Sequence, residues 1–145
     1  MRLPEFYLLM YAFLLNLLWE AVQAPLFVFE QQASQFLLGG CLLFCSLVDG
    51  LMTLTAYWVL SAIYRDRYWF VIRKVKYLWS FVGVALVLAV GSEYTAVHYR
   101  NLWEYSSLMP VIPVVQLGLT PVLQWLFLPP LVVIFMRRGF GSPTL

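Results

Sequence analysis

Residues 6–24 read FYLLMYAFLLNLLWEAVQA, an apolar run whose single charged residue is Glu20. A predominantly apolar segment of about 20 residues is long enough to cross the hydrocarbon core of a bilayer as an α-helix. Pro25 follows, and it is expected to end or kink the helix because proline lacks the backbone N–H that a helix interior uses. The stretch therefore predicts a first membrane-spanning helix, and it raises the question of why a carboxylate lies inside it.

The same stretch also resembles a secretory signal peptide, because Val22-Gln23-Ala24 fits the small-x-small pattern of a cleavage site. Pro25 would stand directly after the cut, where peptidases tolerate proline poorly. We therefore expect the first helix to be retained.

Three further segments share this apolar character, at residues 36–63, 77–98 and 108–136. Across the chain 63% of residues are hydrophobic and 11% are charged, whereas charged residues make up about 25% of a soluble globular domain. We therefore expect an all-α, polytopic membrane protein. Its single domain, residues 1–145, would be a four-helix transmembrane bundle with helices at about 6–24, 36–63, 77–98 and 108–136.

The basic residues predict how this bundle lies in the membrane, because Lys and Arg are commoner in cytoplasmic loops. Of the nine Lys and Arg residues, only Arg100 falls on the opposite side of a four-span arrangement from the rest. We expect a multi-pass protein of the cell inner membrane with both termini cytoplasmic and with residues 30–35 and 100–104 outside. The net charge of +2 gives no reason to expect a nucleic-acid partner. The basic residues on the cytoplasmic side are Arg2, Arg65, Arg67, Arg73, Lys74, Lys76, Arg137 and Arg138.

Polar side chains within the spans predict a pocket. A charge in the apolar zone costs at least about 2.5 kcal/mol, so such residues normally face the bundle interior. With a rise of about 1.5 Å per residue, Glu20 and Glu93 lie at similar heights near the outer end, and Asp49 lies nearer the midplane. Asn16, Glu20 and Gln23 follow the i, i+4, i+7 spacing of one helical face. We expect Glu20 to face a pocket that it shares with Glu93 and that opens outward.

Candidate site residues follow from this pocket. Glu20 and Glu93 are the candidate catalytic residues, because a carboxyl group inside a membrane is a functional-site hypothesis by default. For Asn16, Gln116 and Gln124 the competing interpretation is interhelical hydrogen bonding, which we favour, and for Asp49 both interpretations stay open. The candidate substrate-binding residues are Asn16, Trp19, Gln23, Asp49, His98, Arg100, Trp103, Gln116 and Gln124.

The third helix can continue as far as Glu104, since no proline intervenes. Glu93, Arg100 and Glu104 would then share a face, and Arg100 could reach both carboxylates. His98 is the single histidine, and we expect a solvated or hydrogen-bonded role for it near the outer interface. Without a second ligand at metal spacing, we predict no metal site and no cofactor.

Cys41 and Cys45 are spaced i, i+4, on a stripe that continues to Asp49 and Thr53. A disulfide between the two thiols would strain a regular helix. We expect buried, reduced thiols that serve packing.

Prolines interrupt the fourth predicted helix. Each interior proline removes a backbone donor and frees a carbonyl that another group must satisfy. The fold prediction includes a proline-broken fourth helix that lines the pocket with Gln116, Thr120 and Gln124, and a merely kinked helix is the alternative. The prolines are Pro110, Pro113, Pro121, Pro129 and Pro130.

Three stretches carry a resemblance: NLLWEAVQAPLF at 16–27, VDGLMTL at 48–54, and the run from 93 to 130 that begins EYTAVHYRNLWEY. Together they resemble a group of small, uncharacterised bacterial integral membrane proteins with four helices. The resemblance covers most of the chain and implies a topology without an activity.

A weaker likeness is to the membrane domain of lycopene cyclase, in which a Glu precedes a W-x-[YF] element and a Pro-Glu-Glu motif follows. Glu93 and Trp103-Glu104-Tyr105 fit the first part of that pattern. The paired glutamates are absent, and Pro121 is followed by Gln124 instead.

Two classes of function stay open. The first is an intramembrane enzyme for a lipid or isoprenoid, in which Glu20 or Glu93 is the general acid and the other is the base. The second is a non-enzymatic small transporter or assembly subunit, as a homodimer or with a membrane-protein partner, because Gly39, Gly40 and Gly50 suit close helix packing. The expected partners are membrane lipids and a hydrophobic small-molecule ligand.

Overall fold

The computed structural model describes residues 3–28 and 35–140, and for residues 35–38 it describes the backbone alone. Within this part of the chain, four helices are long and apolar enough to cross a membrane: Pro4–Leu26, Gly39–Tyr64, Val75–Tyr99 and Leu119–Phe140. The prediction of an all-α chain with four apolar spans is thereby confirmed. Arg2 and most of the outer loop expected at 30–35 lie outside the described residues.

The helices and short strands follow one another in a simple order. Helix α1 (Pro4–Gln23) ends in a 3-10 turn (Ala24–Leu26) that contains Pro25, and strand β1 (Phe27–Val28) follows. Helix α2 (Gln35–Tyr64) leads through a 3-10 turn (Trp69–Val71) to α3 (Val75–Tyr94), which continues as a π-helix (Thr95–Tyr99). Strands β2 (Glu104–Tyr105), β3 (Val111–Ile112) and β4 (Leu117–Gly118) precede α4 (Leu119–Phe140).

The fourth helix begins at Leu119, later than the start at about residue 108 that hydropathy predicts. The intervening residues form antiparallel pairs instead: β1 pairs with β2, and β3 pairs with β4. Prolines explain the difference, because Pro110 and Pro113 carry no N–H for a helical ladder. Pro121 lies in the first turn of α4, where backbone N–H groups have no helical partner in any case.

The third helix also ends earlier than Glu104. Its π-helical segment stops at Tyr99, and Glu104 belongs to strand β2, where Val28 is its pairing partner. The expectation that Glu93, Arg100 and Glu104 share one helical face is therefore wrong. Within the described residues Arg100 forms no salt bridge.

Aromatic side chains close one end of the bundle. The segment between α2 and α3 folds inward, so that Trp69 and Phe70 are buried beside Tyr57 and Phe81. The Trp69 ring centroid lies 5.3 Å from that of Phe81 and 6.2 Å from that of Tyr57. Burial of this much aromatic surface fixes the helix ends to one another.

Polar contacts tie the chain's basic segments to this same end. Arg137 Nε donates a hydrogen bond to the Phe70 carbonyl (2.6 Å), and Arg67 forms a salt bridge with Glu5 of α1. The segment 65–74, the start of α1 and the end of α4 therefore lie together. We call this end of the bundle the basic end. The opposite end, where α1 ends and α4 begins, borders a cavity described below, and we call it the cavity end.

Gly50 lets α1 and α2 approach closely. A Cβ atom at Gly50 would lie 3.1 Å from Leu9 Cδ1 and 3.6 Å from the Phe13 nitrogen. A larger side chain would therefore push the two helices apart.

We expect Gly50→Leu to reduce the free energy of unfolding by about 1–3 kcal/mol, because overpacking forces backbone shifts. Denaturant titration in detergent micelles measures the effect. Gly40→Leu on the same helix is the control, since no described atom lies within 4 Å of its Cβ position. Equal losses in the two variants would show that the close approach at Gly50 is not required.

Candidate functional site

A cavity of about 900 Å³ lies between the four helices, in the half of the bundle that is farther from the basic end. Its wall includes three carboxyl groups, each from a different helix: Glu20, Asp49 and Glu93. Most of the remaining lining is apolar, with Trp103 and Trp125 as its largest rings.

The amide of Gln124 joins α1, α2 and α4. Its side chain is 2% exposed. Gln124 Nε2 donates to Asn16 Oδ1 (2.8 Å) and Asp49 Oδ2 (2.9 Å), and it lies 3.4 Å from Glu20 Oε1. An amide nitrogen has two hydrogens, so these three oxygens share them. One side chain on α4 thus positions polar groups from two other helices.

A second amide extends the network along α1. Gln23 Nε2 donates to Glu20 Oε1 (2.9 Å) and lies 3.3 Å from Gln124 Oε1. Trp19 Nε1 donates to Gln23 Oε1 (3.0 Å). Glu20 therefore faces a polar wall in which two amides offer it hydrogen bonds, and this arrangement accounts for a carboxyl group within the apolar part of α1.

Glu20 and Asp49 approach the same amide nitrogen: Gln124 Nε2 lies 3.4 Å from Glu20 Oε1 and 2.9 Å from Asp49 Oδ2. Helical rise predicts that Asp49 lies deeper than Glu20, yet both side chains reach the same amide. The acidic group that shares a donor with Glu20 is therefore Asp49 of α2, whereas Glu93 lines the same cavity with donors of its own.

Glu93 has its own donors. Tyr105 Oη donates to Glu93 Oε1 (2.6 Å), and Trp103 Nε1 lies 3.4 Å from the same oxygen. Burial and the hydrogen bond to Glu93 raise the pKa of Tyr105, so the phenol stays protonated and remains a donor. Both donors come from the segment that follows the π-helix, which folds back over the end of α3.

The structure brings most of the predicted site residues together. Glu20, Gln23, Asp49, Glu93, Arg100, Trp103 and Gln124 line the cavity. Asn16 and Trp19 stand behind its wall, in the hydrogen-bond network.

His98 and Gln116 do not reach the cavity. The π-helix places His98 against Tyr94, with ring centroids 4.5 Å apart. Gln116 lies in the turn between β3 and β4 with a positive φ of 54°, and its Nε2 donates to the Pro113 carbonyl (2.8 Å). Both residues line a separate pocket of about 270 Å³. The prediction that they belong to the main pocket assumed uninterrupted helices there.

The cysteines lie elsewhere than expected. Cys41 and Cys45 line the cavity as free thiols, and Cys41 is exposed rather than buried. Their i, i+4, i+8 spacing with Asp49 is the signal that could have placed them there. Within residues 3–28 and 35–140, no group of three or more His, Cys, Asp or Glu side chains is arranged to hold a metal.

Other lining residues carried no signal in the sequence. Leu117, Pro121 and Trp125 reach the cavity because α4 starts late and the strand pair β3–β4 stands before it. Tyr105 becomes a donor to Glu93 only because the chain reverses after Tyr99.

We expect Gln124→Met to reduce the free energy of unfolding by about 1–2 kcal/mol, since hydrogen bonds inside membrane proteins contribute about 0.6 kcal/mol each. The substitution leaves Asn16, Asp49 and Glu20 without a shared donor. Leu123→Met, one position away on α4 and outside the network, is the control and should change stability much less. Equal stability of the two variants in denaturant titration would contradict the role assigned to Gln124.

Comparison with known proteins assigns no family: no family model, no curated protein and no solved structure matches the chain.

Proposed function

We propose that the chain is an intramembrane enzyme that performs acid/base chemistry on a lipid or isoprenoid substrate. The observation that carries this proposal is the convergence of Glu20, Asp49 and Glu93 on one cavity with largely apolar walls. A volume of about 900 Å³ falls within the range of about 300–1,000 Å³ that small-molecule sites occupy.

The two sets of hydrogen bonds suggest a division of roles. Glu20 and Asp49 are neighbours in an apolar medium, where two adjacent negative charges repel strongly, so we assign one shared proton to this pair. That pair is the general acid. Glu93 accepts hydrogen bonds from Tyr105 and Trp103, which hold its carboxyl group in place, and we assign it as the general base.

The lining of the cavity is suited to a cationic intermediate. Protonation of a double bond leaves positive charge on carbon, and aromatic ring faces stabilise positive charge. Trp103 and Trp125 line the cavity and offer those rings. The likeness to the lycopene cyclase membrane domain supports the isoprenoid class, since its Glu and W-x-[YF] pattern corresponds here to Glu93, Trp103 and Tyr105.

The basic end faces the cytoplasm in this proposal, with both termini there and the cavity opening outward from the cell inner membrane. The positive-inside bias supports this orientation. So does the contact of Arg137 with the Phe70 carbonyl, because it places two basic segments of the chain on one side.

Two prolines interrupt the backbone hydrogen bonds of the fourth helix. Pro129 and Pro130 lie inside α4, and each lacks the N–H that would bond to the carbonyl four residues earlier. The carbonyl left by Pro129 belongs to Trp125, in the cavity wall. We propose that a proline break at this place allows the Trp125 ring to adapt to a substrate.

A second candidate is a non-enzymatic assembly subunit or a small transporter. Gly39 and Gly40 on α2 favour it, because no described atom lies within 4 Å of either Cβ position and a partner helix, including a second copy, could pack there. The aromatic cluster at the basic end favours the subunit over the transporter, since Trp69 and Phe70 close that end.

Substituting the cavity carboxyls tests the enzyme. Glu20→Gln, Asp49→Asn and Glu93→Gln should each lower conversion about 10²-fold or more, as loss of general acid or base catalysis does. Untargeted mass spectrometry of lipid extracts from producing cells measures the effect. Glu104→Gln is the matched control, because Glu104 is exposed and does not line the cavity. Unchanged lipid profiles with all variants folded and abundant would refute the enzyme.

Thiol labelling tests the orientation. In a Cys41→Ser, Cys45→Ser background, a charged maleimide added to intact cells should label Ser107→Cys and should leave Lys74→Cys unlabelled until the membrane is opened. Both positions are exposed and lie at opposite ends of the bundle. The reverse pattern would place the termini outside.

A further inference from the structure

Helices α2 and α3 are joined by side-chain contacts at the basic end, and both line the cavity at the other end. Tyr64 Oη donates to Ser80 Oγ (3.0 Å), and the ring centroids of Tyr64 and Tyr77 lie 4.2 Å apart. In the described part of the chain no other hydrogen bond joins these two helices. The halves of α2 and α3 that are nearer the cavity end form two walls of the cavity.

The dimensions of this α2–α3 cleft match one leaflet of a bilayer. Its lining extends over residues 41–52 of α2 and 86–96 of α3. At about 1.5 Å per residue, these stretches are roughly 16 Å and 15 Å long, about half of the roughly 30 Å hydrocarbon thickness. A hydrocarbon chain that spans one leaflet therefore fits along the cleft.

The walls of the cleft are suited to such a chain. Val48 and Met52 face it from α2, and Leu86 and Val90 face it from α3. The polar network joins α1, α2 and α4 at Gln124, and Asp49 and Glu93 place one carboxyl group on each wall of the cleft. An amphiphile could lie with its chain between α2 and α3 and its head group against the carboxyls.

The surroundings determine what occupies the cleft. Because four helices of the described chain are long and apolar enough to cross a membrane, we assign the hydrocarbon of the bilayer to the outer side of the space between α2 and α3. Water there would lack hydrogen-bonding partners along the apolar walls, whereas a hydrocarbon chain loses nothing by entering.

We propose that the α2–α3 cleft is a lateral entrance through which the hydrocarbon chain of a bilayer amphiphile enters the cavity. The substrate class is thereby a membrane-resident molecule with a chain of leaflet length, and not a water-soluble compound. The catalytic part of this assignment rests on the enzyme proposed above, whereas binding of the chain does not.

Two glycines on α3 provide a matched test. Gly91 lines the cavity, whereas Gly83 does not, and no described atom lies within 4 Å of the Cβ position of either. Gly91→Trp therefore adds a large ring to the cavity lining, and Gly83→Trp adds the same ring elsewhere on α3. Neither variant should unfold the helix, because glycine is the weaker helix former in both cases.

The probe is a long-chain alcohol with a diazirine on its chain, added to phospholipid vesicles that contain the full-length protein. After illumination, peptide mass spectrometry locates the adducts. We expect Val48, Met52 or Val90 to be labelled more strongly than Val87, which is 72% exposed and lies outside the cleft. Gly91→Trp should lower labelling in the cleft at least fivefold, and Gly83→Trp should leave it unchanged.

Three outcomes would overturn the proposal. One is labelling of the cleft no stronger than at Val87, and another is equal labelling in the two tryptophan variants. The third is protection of the cleft together with crosslinked dimers, which would show that a second copy covers it.

Glu20→Gln separates this inference from the enzymatic function. The variant should keep its cleft labelling, because the chain contacts apolar residues. If the cleft is still labelled but the lipid profile of producing cells does not change, the cleft binds a hydrocarbon chain and the proposed enzymatic function is wrong. A changed lipid profile without cleft labelling would leave the enzyme with a different route of entry.

Discussion

The arrangement of the cavity end depends on the need of every polar group inside a bilayer to find a partner within the protein. Gln124 meets that need for α1 and α2 at once, since its amide contacts Asn16, Asp49 and Glu20. Gln23 donates to the same oxygen of Glu20, Oε1. The consequence is that the rotation of three helices is set by one buried amide, because turning any of them outward would leave a polar group facing lipid.

The two ends of the bundle are stabilised by different means. Aromatic rings and inward-folded loop residues fill the basic end, where Trp69 is completely buried. Polar contacts organise the cavity end, and they leave open space beside them. A hydrogen bond needs only a few atoms in the right place, whereas aromatic packing fills volume. This difference explains how so small a chain holds both a firm core and a cavity.

Much of the architecture could be predicted from hydropathy, since each span is long, apolar and nearly free of charge. The face that carries Asn16, Glu20 and Gln23 also followed from helical spacing. The neighbour of Glu20 could not be predicted, because spacing fixes which residues share a face and leaves open how each helix is rotated against the next. The late start of α4 was missed for another reason. Residues 108–118 are apolar enough to extend the fourth span, but Pro110 and Pro113 disfavour a continuous helix there, and the residues beside them pair as β3 and β4. Whether the carboxyls are catalytic stays a prediction.

The hydrogen bonds to Glu93 depend on the number of residues in the π-helix Thr95–Tyr99. A π-turn holds one more residue than an α-turn, and each residue turns a helix by about 100°. The extra residue therefore sets the direction in which the chain leaves α3 and returns Trp103 and Tyr105 to Glu93. The loss of a single residue from the turn would therefore redirect both donors. The number of residues in this turn thus determines where the two donors to Glu93 lie.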